Sequence, residues 1–226
     1  MPEKITSKQE DRLTDLFRSA VRALNLSKDE AQEIIKSGGT MQEEVKPMLQ
    51  KLAIVDKRFG AALVEFDLTV PTDYDHNTCI DKFGKRVKKE KTTYYYYNDA
   101  FTSKNFANAT NKLEPGKTYK VKIFPILSTV TSGDCMNFLG KQEAILVGGQ
   151  GETLVYDLHR DKLPKGKYTV SFDKKDALWT DSDGYHRVPF VIAYSDGDFL
   201  FDLGGFEGDW GAEGCLLCFC DMPVSA

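Results

Sequence analysis

Three of the five cysteines, Cys215, Cys218 and Cys220, fall within six residues in the segment 213–221, EGCLLCFCD. Clustered thiols could ligate zinc, run thiol–disulfide chemistry, or serve as small hydrophobes. A zinc knuckle sets its Cys-x-x-Cys on a tight turn with polar or glycine spacers and needs two further ligands nearby. Here the spacers are Leu216, Leu217 and Phe219, which favour burial and an extended backbone. A thioredoxin-type pair would open a helix, and no helix start is written here. In a strand, Cys215, Leu217 and Phe219 face one way and Leu216, Cys218 and Cys220 the other. Both faces are then apolar, as in a strand held between two layers, where cysteine packs as a small hydrophobe. The expectation is a central strand with Cys218 and Cys220 on one face, Cys215 on the other, and no metal between them.

The remaining inventory for catalysis is thin. The three histidines, His76, His159 and His186, sit in no serine-nucleophile elbow, zinc-protease helix or deaminase pattern. DYDHNTC gathers Asp73, Asp75, His76 and Cys79 in what reads as a loop, the best local set for a metal or a Cys–His pair. DSDGYHRVPFVI offers Asp181, Asp183 and Gly184 to a calcium loop and then lacks every later ligand. VGGQGETLV has the glycines of a phosphate loop, but Glu152-Thr153 stands where a Lys-Ser/Thr pair is required. A hairpin turn is the expected reading there.

Binding surfaces are better signalled. DKFGKRVKKEKTTYYYY carries Lys82, Lys85, Arg86, Lys88, Lys89 and Lys91 ahead of Tyr94 to Tyr97. Cations beside aromatics suit single-stranded nucleic acid or an acidic partner. Lysines on an exposed hairpin or edge strand also block aggregation, and tyrosines are ordinary strand material. GGFEGDWGAEG, glycine-rich around Trp210, reads as a mobile loop where a partner could touch. The residues expected to bind are therefore Lys85, Arg86, Lys88, Lys89, Tyr94, Tyr96 and Trp210.

Elements must position these groups. Ser7/Glu10, Ser27/Glu30 and Thr40/Glu43 each fit a capping box, and apolar residues follow at helical spacing, as in Leu13, Leu16, Phe17, Ala20, Val21 and Leu24. Three helices are expected from 7 to about 54, with Pro47 kinking or delaying the third. A helix-turn-helix is disfavoured because Glu43 and Glu44 would face phosphates. From residue 60 the apolar period becomes two, starting with AALVEFDLTV. Further strands are expected at TTYYYY, KTYKVKIF, EAILV, TLVYDL, KYTVSF, VPFVIAY, DFLFDL and CLLCFC. Turn chemistry separates them, most sharply at Asp196-Gly197. A short helix is expected over DCMNFLGKQ with Asp134 as N-cap, and a short helical or irregular piece over DAFTSKNFANATNKL. The fold class is therefore α+β: a helical segment, 1–58, then a mainly antiparallel domain of about nine strands, 59–226.

At 226 residues, 41% hydrophobic and 28% charged, the chain can bury a large core and has no run long enough for a membrane span. Its net charge of -4 argues against nucleic-acid binding by the molecule as a whole. With no basic-then-apolar leader and an odd number of thiols, the expected compartment is the cytoplasm. KNFANATNKLEPGKTYKVKIFPIL, LVGGQGETLVYDL and YSDGDFLFDLGGFEGDW are similar to segments of an uncharacterised bacterial protein family of no known function. The resemblance implies a bacterial cytoplasmic protein or one from a mobile element, and carries no activity or ligand. The expected function is a non-enzymatic binding module without cofactor, whose partner is a protein or other macromolecule. A metal-dependent enzyme or zinc-stabilised fold is the alternative, as is nucleic-acid binding through 82–97.

Overall fold

A computed structural model describes residues 56–89 and 94–222, with four isolated positions at 14, 15, 27 and 32. The three helices expected over 7–54 lie outside the described residues. The chain divides into two compact units, 1–55 and 56–226. The second is a mixed α+β unit built on one large sheet.

Its strands are β1 (Val64–Thr69), β2 (Tyr94–Tyr97), β3 (Thr118–Pro125), β4 (Val130–Thr131), β5 (Lys167–Val170), β6 (Trp179–Thr180), β7 (His186–Ala193), β8 (Phe199–Gly205), β9 (Asp209–Trp210) and β10 (Gly214–Asp221). Helix α1 (His76–Lys89) follows β1, while α2 (Ser132–Lys141) and α3 (Gly148–His159) lie between β4 and β5. The sheet runs β1-β3-β10-β5-β7-β8-β2, with β6 also on β7, and β4 pairs β9 separately. β10/β5 and β2/β8 are parallel and every other pairing is antiparallel.

The last strand in sequence is third in space. β10 lies between β3 and β5, and its residues alternate as the cysteine spacing predicts. Cys215, Leu217 and Phe219 enter one apolar layer with Ile80, Phe83, Leu154, Val155 and Tyr156 of α1 and α3. Leu216 and Cys218 enter the opposite layer with Cys135, Phe138 and Leu139 of α2, and Cys220 packs at its border.

The turn at Asp196-Gly197 joins β7 to β8 as expected. Tyr194 N–H donates to the Asp198 carbonyl at 2.9 Å, and Gly197 takes φ +100°, where a side chain is strained. β5 and β6 lie in file along β7, β5 on Phe190–Ala193 and β6 on His186–Arg187. Between them the chain leaves the sheet through Ser171–Leu178, including a short 3₁₀ turn at Lys175–Ala177.

Several expectations fail at the helices. TLVYDL is no strand: α3 takes it, and GGQG is the first turn of that helix in place of a hairpin. A short apolar run reads alike as a buried strand or a helix buried on most sides. EAILV makes only one bridge, Ile145 to Phe219, before the helix begins. Three two-residue strands, β4, β6 and β9, are too short to signal themselves in sequence. Asp134 is not the N-cap of α2. Thr131 is, and Asp134 completes the reciprocal box from the third helical position, where Arg58 also reaches it at 2.8 Å.

The glycines of α3 let its first turn press against its neighbours. A Cβ on Gly149 would sit 2.7 Å from Phe101, and one on Gly151 would sit 2.6 Å from Val147 and 2.9 Å from Ser171. Gly149→Ala and Gly151→Ala are each expected to destabilise the chain by about 1–3 kcal/mol through overpacking. Urea unfolding with tryptophan fluorescence measures this. Gly140→Ala, inside α2 with open space around the added carbon, serves as the control and is expected to stabilise by about 0.4–1 kcal/mol.

Candidate functional site

The basic stretch is neither a hairpin nor an edge strand. Residues 76–89 form α1, because Asp75 caps it: its carboxylate accepts Thr78 N–H at 2.8 Å, and the Thr78 side chain first, its N–H second, hold the carboxyl below the usual range. Among the described side chains of α1, His76, Ile80 and Phe83 are buried, one stripe at helical spacing. Lys82, Lys85, Arg86, Lys88 and Lys89 belong to the same helix.

Four residues after α1, the tyrosines form β2, the terminal strand of the sheet, parallel to β8. Register shifts between Tyr94 and Tyr96, so a bulge breaks the strand's regular run. Tyr96 is exposed. Tyr97 turns inward, donates its hydroxyl to the Phe101 carbonyl at 3.0 Å and packs 5.6 Å from Phe201. Phe83 stands 6.1 Å from the Tyr97 ring and 5.3 Å from Phe201, which locks α1 to the β2–β8 edge. The basic helix and the tyrosine strand, adjacent in sequence, are thus fixed side by side by one aromatic cluster.

Trp210 belongs elsewhere. It is buried on β9, donates its indole N–H to Ser132 Oγ at 2.8 Å and lies 5.3 Å from Phe172. The glycine-rich segment around it is pinned rather than loose. Phe206 N–H donates to the His186 carbonyl at 2.8 Å, and Gly211 N–H donates to the Tyr168 hydroxyl at 2.8 Å.

The histidines occupy three unrelated places. His76 is buried, with Nε2 2.9 Å from the Phe106 carbonyl oxygen. His159, at the C-terminal end of α3, packs 4.7 Å from Phe66. His186 lies 2.7 Å from Glu207 Oε1, and Lys175 Nζ lies 3.0 Å from the same oxygen. Desolvation works to raise the Glu207 pKa, yet the hydrogen bonds from Lys175 and His186 outweigh it and hold the carboxyl down at about 2. Asp181 binds Arg187 and caps its own turn through Asp183 and Tyr185 N–H groups, so the calcium-like DSDG is an Asx turn. Among the described residues, no three of His, Cys, Asp and Glu converge closely enough to hold a metal ion.

Beneath α3 lies a buried polar layer with no motif in the sequence. Gln150 is fully buried and straps the 98–113 segment: its Oε1 accepts Leu113 N–H at 2.9 Å and the Tyr74 hydroxyl at 3.3 Å, and its amide donates to the Asn111 carbonyl. Asp173 does the same from the gap between β5 and β6, accepting Thr110 N–H and Lys174 N–H. Glu152 differs. It is wholly buried, and neither carboxyl oxygen has a hydrogen-bond partner among the described residues. Burial alone pushes its pKa well above the usual carboxylate range. Thr169 and Ser171, two residues apart, bury hydroxyls that are likewise without a partner.

No family model matches the chain, and no curated protein or solved structure matches it.

Glu152 gives stability a defined pH slope. Above about pH 4.5 the unfolded chain releases this proton while the folded chain keeps it, so folding weakens as pH rises. Glu152→Gln removes that contribution. The melting temperature of the variant minus that of wild type is expected to grow from pH 4.5 upward, and a difference constant with pH would contradict the assignment.

Proposed function

We propose that the chain is a non-enzymatic binding module whose working surface is the α1–β2 edge and whose partner is an acidic segment of another macromolecule. One observation carries this reading: α1, a helix whose sequence holds five basic residues, is held beside the strand that carries the exposed Tyr96. The bulge in β2 makes the edge a poor template for an added strand, so recognition falls to side chains. Cations and tyrosine together suit a carboxylate-rich protein segment, charge steering the encounter and the aromatic ring adding contact area. Lys85, Arg86, Lys88, Lys89, Tyr94 and Tyr96 remain the residues assigned to binding, and Trp210 leaves the set.

Cys135, Cys215 and Cys218 are wholly buried thiols, which supports a reducing compartment such as the cytoplasm. Among the described residues no helix is long and apolar enough to cross a membrane.

Fluorescence anisotropy with a labelled oligoglutamate peptide and a labelled oligothymidylate of equal charge tests the surface. Binding to the peptide is expected to fall steeply with salt. Lys85→Glu combined with Lys88→Glu is expected to weaken it at least about tenfold, or about 1.4 kcal/mol. Stronger binding of oligothymidylate moves the assignment to single-stranded nucleic acid. Binding of neither overturns the surface altogether.

A further inference from the structure

Cys218 and Cys220 sit on one face of β10 because Phe219 between them points to the other, and their sulfurs are 3.6 Å apart. The two thiols differ in access. Cys218 is fully buried beneath the α2 layer, while Cys220, two residues nearer the end of the strand, is half-buried. Lys122 of β3 stands opposite Cys218 in register and Lys120 opposite Cys220. Lys120 is engaged by Asp67.

The groups facing Cys220 come from three directions. The Cys218 thiol and Lys122 favour its thiolate, while Glu143 after α2 and the neighbouring Asp221 oppose it. The Gln142 carbonyl accepts its S–H at 3.5 Å. A hydrogen bond from Cys218 is the largest influence. It holds the Cys220 pKa down at about 7 against the burial that would raise it, and the same bond with burial pushes Cys218 upward. The hydrogen bond thus favours ionisation at the more accessible sulfur over the buried one. Thiolate character with access is what makes a cysteine reactive, and an adjacent thiol is what resolves the product.

We propose that Cys218 and Cys220 form a redox-responsive thiol pair that a hydroperoxide oxidises once per chain, Cys220 attacking and Cys218 resolving, a stoichiometric reaction apart from the binding surface. The Cys220 thiolate takes one oxygen of the peroxide. An S–O bond forms, the O–O bond breaks, and the other oxygen leaves as alcohol or water after protonation. Cys220 is then a sulfenic acid, oxidised by two electrons. Cys218 sulfur attacks it, an S–S bond forms, the S–O bond breaks, and the hydroxide leaves with the Cys218 proton as water. The sum is two thiols and one hydroperoxide giving one disulfide, one alcohol and one water.

Residues two apart on an extended strand have Cα atoms about 6.6–6.8 Å apart, the upper end of what a disulfide spans. The product is therefore strained and readily reduced, a property of labile rather than structural disulfides.

The test uses the full chain treated with a small excess of hydrogen peroxide, quenched with iodoacetamide, digested and weighed. The expected result is loss of two alkylatable thiols per chain. The 218–220 peptide becomes two hydrogens lighter, and dithiothreitol reverses the change. In Cys218→Ser the expected product is a dimedone adduct at Cys220, and in Cys220→Ser neither product forms. Without peroxide, alkylation of Cys220 is expected to reach half its maximal rate near pH 7 rather than near 9. Wild-type protein that loses Cys79 as fast as Cys220, or that forms no 218–220 link, overturns the proposal, and this arm needs no variant to fold.

Discussion

Burial of β10 on both faces is the constraint on which the 56–226 unit depends. A strand that is apolar on each side must lie between two layers, and β10 has α1 and α3 on one side and α2 with the β4–β9 pair on the other. It is also the strand that joins the two halves of the sheet, antiparallel to β3 and parallel to β5. Fully burying a Leu or Phe side chain contributes about 1.5–3 kcal/mol, and Leu216, Leu217 and Phe219 are all buried here. Cys215 and Cys218 fill two further positions as small buried hydrophobes. At Cys215 and Cys218 desolvation raises the thiol pKa, in the second case together with the bond to Cys220.

Close approach explains the glycines and the buried polar groups. α3 lies over the sheet with its first turn against Phe101, Ser171 and Phe219, which requires Gly149 and Gly151. Once the helix is that deep, the 98–113 segment crossing its start has no water for its backbone, and Gln150 and Asp173 supply the missing partners. Glu152 has no such compensation, and its burial favours the neutral carboxyl by raising its pKa. Packing, hydrogen bonding and ionisation state here are consequences of one geometric fact, the depth of α3.

At the other end of the sheet the constraint is an edge. β2 has β8 on one side, a bulge in its run, and α1 alongside through Phe83, Tyr97 and Phe201. The aromatic cluster ties the helix to the edge strand, so this end of the sheet is held by ring packing on its inner side.

The sequence by itself determined the features that depend on local chemistry. Strand parity in CLLCFC, the alternation of β1, the Asp196-Gly197 turn and the strands at KTYKVKIF, VPFVIAY and DFLFDL all follow from residue type and period. Only the tertiary structure decided the rest. TLVYDL became a helix because it is buried on most sides, where periodicity vanishes, and because glycines that resemble a turn also permit a helix to approach a sheet. DYDHNTC became a helix start because Asp75 reached the Thr78 amide, an alternative open to any Asp in a loop-like string. Trp210 became core because its partners, Phe172, Tyr168 and Ser132, are remote in sequence. The sulfur pair lies between these cases. Its shared face was legible from alternation, but the unequal access and the nearby Lys122 arise from strand order, which local sequence does not encode.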